Sequence, residues 1–275
     1  MTPDRRALLA GAASLAAAGS ARGQTAELQL DGRFVQGGYA IGRTWPRALV
    51  FVDGEALATA SSDGWFIVGF DRDAPASTTI EARAEGRVSR RRLDIARGDF
   101  DITRIDGLPP STVTPTAPEL LARIAREVEI KTEGFASRFD ADHFRDGFAW
   151  PLEGFRVSSR WGAQRVLNGT PARPHYGIDL AAPAGTVIRA PAAGRVALAE
   201  RDLHFEGGLT LIDHGQGLIT AYLHQSRIDV RVGQDVRRGD ALGRVGSSGR
   251  ATGPHLCWRM KWRDRNLDPS LLRRI

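Results

Sequence analysis

Five side chains in the C-terminal half have the chemistry to share a metal ion or a proton: His175, Asp179, His224, His255 and Cys257. On a straight strand, His175 and Asp179 would face the same side about 13 Å apart, too far for one small ion whose donors each sit about 2 Å away. Gly177 between them permits a sharp backbone bend that would bring them together. His255 and Cys257 are two positions apart, so on a strand both project from one face. His224 follows Ala221-Tyr-Leu in another strand-like run and could approach from the side. Imidazole, carboxylate and thiolate are all good zinc donors, and three of them leave one coordination position open.

Residues 150–262, which must position this set, are rich in glycine and carry turn signals about every ten residues, a pattern of a compact antiparallel β-domain. The other histidines are read structurally. His214, within Asp213-His-Gly215, fixes a turn, while His204 and His143 are surface or packing residues. Gly246-Ser-Ser-Gly249 has no helix signal after it, so it reads as a β-turn rather than a phosphate loop. Neither Ser247 nor Ser248 lies in a Gly-x-Ser-x-Gly elbow, so serine-nucleophile chemistry has no support.

Upstream, residues 27–105 alternate short β-like runs with turns. Ala48-Leu-Val-Phe-Val52 precedes Asp53-Gly54, a strong hairpin signal, and Phe66–Phe70, Thr78–Ala82 and Val88–Leu93 continue the series. This predicts a small, immunoglobulin-like β-sandwich that serves as a spacer or docking module. Residues 106–140 read as a Pro-rich linker followed by an amphipathic connector helix. Thr116 and Glu119 form a capping box, Pro118 sits in the first turn, and Leu121, Ile124 and Val128 line one face of a helix ending near Gly134. The glycine-rich β-domain that carries the candidate site is expected over residues 141–265, with a basic tail at 266–275. The fold class is therefore mainly β: a sandwich, a connector helix and an antiparallel C-terminal sheet.

Residues 1–23 have the layout of an export signal, with Arg5 and Arg6 ahead of an apolar core from Ala7 to Gly19 and small residues after it. The arginine pair resembles a twin-arginine signal, and a periplasmic or cell-envelope location is expected. No run reaches the roughly 18–20 apolar residues of a membrane span. The chain has 275 residues, 42% hydrophobic and 25% charged, enough for a packed core, and its single cysteine excludes a disulfide scaffold. Residues 231–275 hold eleven Arg/Lys against four Asp/Glu, which suggests an anionic partner. No recognition helix or aromatic stacking motif accompanies that charge, so nucleic acid is not expected.

In order along the chain, Trp150-Pro-Leu-Glu-Gly154, Ser159-Arg-Trp-Gly162, His175-Tyr-Gly-Ile-Asp179, Ala182-Pro-Ala-Gly-Thr186, Ile212-Asp-His-Gly215, Tyr222-Leu-His224, Val232-Gly-Gln-Asp-Val236 and Gly253-Pro-His-Leu256 resemble the lysostaphin/LytM-type zinc metallopeptidases. That family cuts the peptides of bacterial peptidoglycan. The resemblance implies one zinc ion held by His175 and Asp179, with His224 and His255 flanking the attacking water and the developing oxyanion. The family's third ligand is the second histidine of a His-x-His pair, and here that position is Cys257. A thiolate can take the place, but it brings the ion and its ligands to a net charge near zero, which weakens carbonyl polarisation. The bland alternative is Cys257 as a small buried hydrophobe in a metal-free site.

Two functions follow from the resemblance. One is an exported zinc metalloendopeptidase acting on peptidoglycan stem or cross-link peptides. The other is a non-catalytic relative that binds peptidoglycan and regulates or activates another wall hydrolase. A lipoyl- or biotinyl-type carrier, suggested by Val232-Gly-Gln-Asp-Val-Arg-Arg-Gly-Asp240, fails because the only lysines are Lys131 and Lys261, neither on a suitable hairpin tip.

Overall fold

The computed structural model describes residues 28–106 and 117–272. The export signal expected at 1–23, the Pro-rich part of the linker and Thr116 lie outside the described residues. Seven strands come first: β1 (Gln29–Arg33), β2 (Tyr39–Arg43), β3 (Leu49–Val52), β4 (Glu55–Thr59), β5 (Trp65–Gly69), β6 (Ser77–Ala84) and β7 (Arg87–Asp94). They form two antiparallel sheets, in the orders β1-β2-β5 and β4-β3-β6-β7. The β3–β4 hairpin turns at Asp53 and Gly54, whose φ angles of 51° and 89° are the two positive values that a tight primed turn demands.

Strand β8 (Ile102–Ile105) leaves the sandwich. It pairs in parallel with β10 (Gln164–Leu167), which also pairs with β11 (Thr170–Pro171). Helix α1 (Pro118–Phe135) follows β8 in the chain. The remaining strands are β9 (Arg156–Ser159), β12 (Ile178–Ala181), β13 (Val187–Arg189), β14 (Gly194–Leu203), β15 (Gly207–Asp213), β16 (Leu218–Ile228), β17 (Asp235–Val236), β18 (Ala241–Val245), β19 (His255–Trp262) and β20 (Arg265–Leu267). Their sheet runs β17-β14-β15-β16-β19-β12-β9, with β18 bridging β16 and β13 and β20 added to β19. The architecture is mainly β and antiparallel, as expected.

The two faces of this sheet differ. Along β19, Leu256, Trp258, Met260 and Trp262 are buried in a core continuous with sandwich residues such as Phe66, Val68 and Ile80. The alternation of side chains in a strand therefore sends His255, Cys257, Arg259 and Lys261 to the opposite face. That face carries a second cluster, Leu198, Leu209, Leu211, Ile219, Leu223 and Cys257, with Phe135 of α1 packed on it.

Helix α1 departs from its expected details. Its N-cap is Ala117, with no side-chain cap, and Pro118 takes the first helical position. Leu121 and Val128 are exposed, and the buried positions are Glu127 and Gly134. The helix docks largely through polar groups: Glu127 accepts from the His204 N–H at 2.8 Å, and Arg123, paired with Glu127 one turn away, donates Nη2 to the Asp202 carbonyl at 2.7 Å. Lys131 meets Glu206 at 2.7 Å, and Lys261 lies 5.0 Å from the centre of the Phe135 ring. Gly134 lies so close to Leu211 and Leu198 that a Cβ there would press on the Leu211 methyl at 2.9 Å.

The expected basic tail also differs, because residues 266–272 belong to the fold. Leu267 and Leu272 are buried, and the Leu272 carbonyl accepts from the Phe148 N–H at 3.1 Å. Their apolar side chains complete the core beside Gly69 and Trp262.

His214 has the turn role read from its sequence. Its ring is fully buried, bonded through Nδ1 to the Ala193 carbonyl and through Nε2 to Thr220 Oγ1, each at 2.7 Å. Burial pushes its pKa down to about 4. An unfolded histidine takes its proton near pH 6.5, so the unfolded chain binds more protons between pH 6.5 and 4, and stability falls as pH drops through that window. Urea unfolding should show a contribution from this residue of up to about 3 kcal/mol, and a shallower acid dependence in His214→Asn.

Candidate metal centre

The site is built by strand register. In the antiparallel β12–β19 pair, Asp179 stands opposite Cys257 and Ala181 opposite His255. Directly opposed side chains lie on the same face about 5 Å apart at Cβ. Ile178 and Leu180 point the other way, into the core, and hold β12 in that register. His175, just upstream, turns back over the pair. Its Nε2 is 3.2 Å from Asp179 Oδ1 and 3.4 Å from Cys257 Sγ. One donor atom from each of the three lies within 4.8 Å of the others.

His175 is held on every polar side. Its N–H donates to the Ala163 carbonyl and its own carbonyl accepts from the Gly162 N–H, both at 2.8 Å. Nδ1 bonds Ser159 Oγ at 3.1 Å, which leaves Nε2 directed at Asp179 and Cys257. Gly177 has a different task from the one expected of it. It has no left-handed φ; instead, a Cβ there would lie 2.6 Å from Cys257 Sγ and 3.0 Å from Arg259 Cγ. Glycine is needed so that the backbone can pass the sulfur.

His224 and His255 complete the group. Their rings lie 4.7 Å apart, and His255 Nε2 is 3.8 Å from Asp179 Oδ1. His255 Nδ1 bonds the Gly253 carbonyl and His224 Nδ1 the Ser248 carbonyl, each at 2.8 Å. With Nδ1–H spent on a carbonyl, each ring presents an unprotonated Nε2 when neutral. His224 has a φ of 65°, a left-handed conformation costing a histidine about 1–2 kcal/mol. It sits where β16 shifts register against β15, an irregularity that re-aims a side chain out of the regular pleat.

Burial opposes charge on these groups, and for His175 and Asp179 the local partners outweigh it. Burial lowers the His175 pKa, yet the neighbouring Asp179 and Cys257 more than reverse this and raise it to about 9. Burial raises that of Asp179, and the adjacent histidines bring it below the usual value. His224 goes the other way: burial lowers its pKa to about 4, and the charge of His255 adds to the effect.

The residues fit a bound cation. Asp179 Oδ1 is buried with only ring nitrogens near it, His175 Nε2 at 3.2 Å and His255 Nε2 at 3.8 Å, and a cation could share these same donors. Beside it stand an imidazole nitrogen and a sulfur, both accepted by zinc.

Some partners were not foreseen. Ser159 and the Ser248 carbonyl, lying in runs noted for other reasons, orient two of the rings. Arg259 donates its Nε to Cys257 Sγ at 3.4 Å. Its i+2 spacing from the cysteine was a usable signal, since strand alternation puts both on one face. His204 and His143 lie apart from the cluster, against Phe205 and Phe139.

Residues 173–269 match Peptidase family M23. The chain is 35% identical over 131 residues to the cell division protein DipM of Caulobacter vibrioides, covering 46% of this chain and 20% of that one. It is 38% identical over 112 residues to the peptidoglycan DD-endopeptidase ShyA of Vibrio cholerae, covering 40% and 26%. The match thus spans between a fifth and about a quarter of these curated relatives. A crystal structure of a candidate M23 peptidase from Pseudomonas aeruginosa superposes with a TM-score of 0.68 at 31% identity, over 87% of this chain and 95% of that one. That likeness extends well beyond residues 173–269 and so takes in much of the sandwich.

Replacing Gly177 by alanine should drive the new methyl group into Cys257 Sγ and Arg259. Urea unfolding of Gly177→Ala is expected to show a loss of about 1–3 kcal/mol.

Proposed function

Because this chain belongs to peptidase family M23, we propose that it is an exported endopeptidase of the cell wall, with one zinc ion held by His175, Asp179 and Cys257. The substrate is the peptide part of peptidoglycan. The observation that carries this reading is the buried Asp179 Oδ1, within 3.2 Å of His175 Nε2 and opposite the cysteine in the strand register.

Zinc bound there supplies Lewis acidity toward a peptide carbonyl and a water molecule. The protein residues supply the rest. His224 and His255 divide two tasks between them: one, neutral, accepts the proton of the attacking water at Nε2, and the other, protonated, donates from Nε2–H to the oxygen on which negative charge develops. Both rings are locked by Nδ1 bonds to carbonyls, so neither must reorient during the reaction. Ser159 fixes the His175 ring from behind, as outer partners of ligand histidines do. Cys257 brings negative charge where the family has a neutral histidine, and Arg259 beside the sulfur offsets part of it. The expected export signal supports a site of action outside the cytoplasm.

Purified protein should contain about one zinc per chain and release peptide-linked fragments from sacculi. His224→Ala and His255→Ala are expected to keep the metal and lower release by roughly 10²–10⁴-fold, the usual contribution of a positioned acid–base group. Cys257→Ser should lose zinc to a chelator more readily than Cys257→His. A chain that holds no zinc and cleaves no type of peptidoglycan overturns the assignment. Full biological activity in the double histidine variant would instead assign the chain to binding and regulation of another hydrolase.

A further inference from the structure

The turn between β5 and β6 buries an arginine in a place that neither folding of the sandwich nor the proposed chemistry explains. Arg72 is only 8% exposed. Its guanidinium leaves the sandwich and reaches the segment joining β9 to β10. Nε donates to the Gly162 carbonyl at 3.1 Å, and Nη2 to Gln164 Oε1 at 3.2 Å. The remaining nitrogen, Nη1, meets Asp73 at 3.2 Å, and the group stacks 4.4 Å from the centre of the Phe100 ring.

The segment it grips is the one that holds His175. The Gly162 N–H donates to the His175 carbonyl, the Ala163 carbonyl accepts from the His175 N–H, and Ser159 bonds the ring. Gln164, held by Arg72 through Oε1, uses its Nε2 to bond the Ala172 carbonyl at 2.8 Å, just ahead of His175. Trp161 closes the same contact from the apolar side. It is buried, packs edge-on against Phe100 and at a tilt against Tyr176, and lies so near Gly37 of the sandwich that a Cβ there would fall 2.4 Å from its ring. A single residue, Gly162, therefore links the guanidinium to the backbone of His175.

We propose that Arg72 is a positioning residue for His175, so that the N-terminal sandwich forms an outer wall of the metal centre rather than a spacer. A buried charge is held in place only by well-made partners, and both cross-layer partners of this one lie on the 162–164 turn. Fixing that turn fixes the height and direction of His175 over the Asp179–Cys257 pair. The proposal rests on the reading of His175 as a metal ligand.

The test compares zinc affinity, by chelator competition, in the full chain and in Arg72→Leu, Arg72→Lys and Gln164→Met. Val50→Ala, which opens a cavity in the sandwich core away from this contact, controls for lost stability. Amide hydrogen exchange at Gly162 and His175 gives a second, metal-independent readout. Zinc binding is expected to weaken roughly 10–100-fold in Arg72→Leu, the range seen when outer partners of metal ligands are removed. Arg72→Lys should recover part of it, Gln164→Met should weaken it in the same direction, and Val50→Ala should leave it unchanged. Exchange at both amides should speed up in Arg72→Leu. Affinity and exchange equal to the parent in Arg72→Leu would overturn the proposal, as would equal weakening in Val50→Ala. If Arg72→Leu does not fold, Gln164→Met beside Val50→Ala decides by the same criteria. A parent chain without zinc would refute the ligand reading itself, and with it this one.

Discussion

The pairing of β12 with β19 is the constraint from which the site descends. A slip of one residue would turn every side chain of one strand to the opposite face. Asp179 would then face away from Cys257, while Leu256, Trp258, Met260 and Trp262 would be driven out of the core. Burying an indole or a leucine is worth a few kcal/mol each, so the apolar face of β19 secures the register. The polar face, with its buried carboxylate oxygen set against two histidine rings, is carried by that surplus. The site is thus paid for on the other side of its own strand.

Strain is concentrated in the same place. His224 holds a left-handed backbone at a register shift, and Gly177 threads past the sulfur with no room for a methyl group. Neither feature helps the sheet. Both aim a side chain or clear space for one, which is where distorted backbone is usually found in enzymes.

What could be read in the sequence follows from the range of each interaction. Asp53-Gly54 announced its hairpin because the positive φ angles of a primed turn are a local demand. The gathering of the candidate site was partly legible from residue type together with strand period, since His255 and Cys257 share a face in any extended conformation. The packed face of α1 was not legible: periodicity pointed to Leu121 and Val128, but the helix is held by Glu127 and Lys131 through partners about 75 positions away. Burial of residues 266–272 and the grip of Arg72 on Gly162 and Gln164 escaped for the same reason. An arginine among thirty-six carries no local mark of the partner it will find.

The attachment of the helix has a practical side. Both lysines of the chain act as clasps on α1, one from the helix to Glu206 and one from β19 to the Phe135 ring. Histidines apart, every other basic side chain is a guanidinium, which ordinary acylating reagents leave alone. Carbamylation or acetylation of amines therefore reaches this chain's side chains chiefly at the two groups that tether one helix, and would loosen it while the arginine-rich remainder stayed chemically intact.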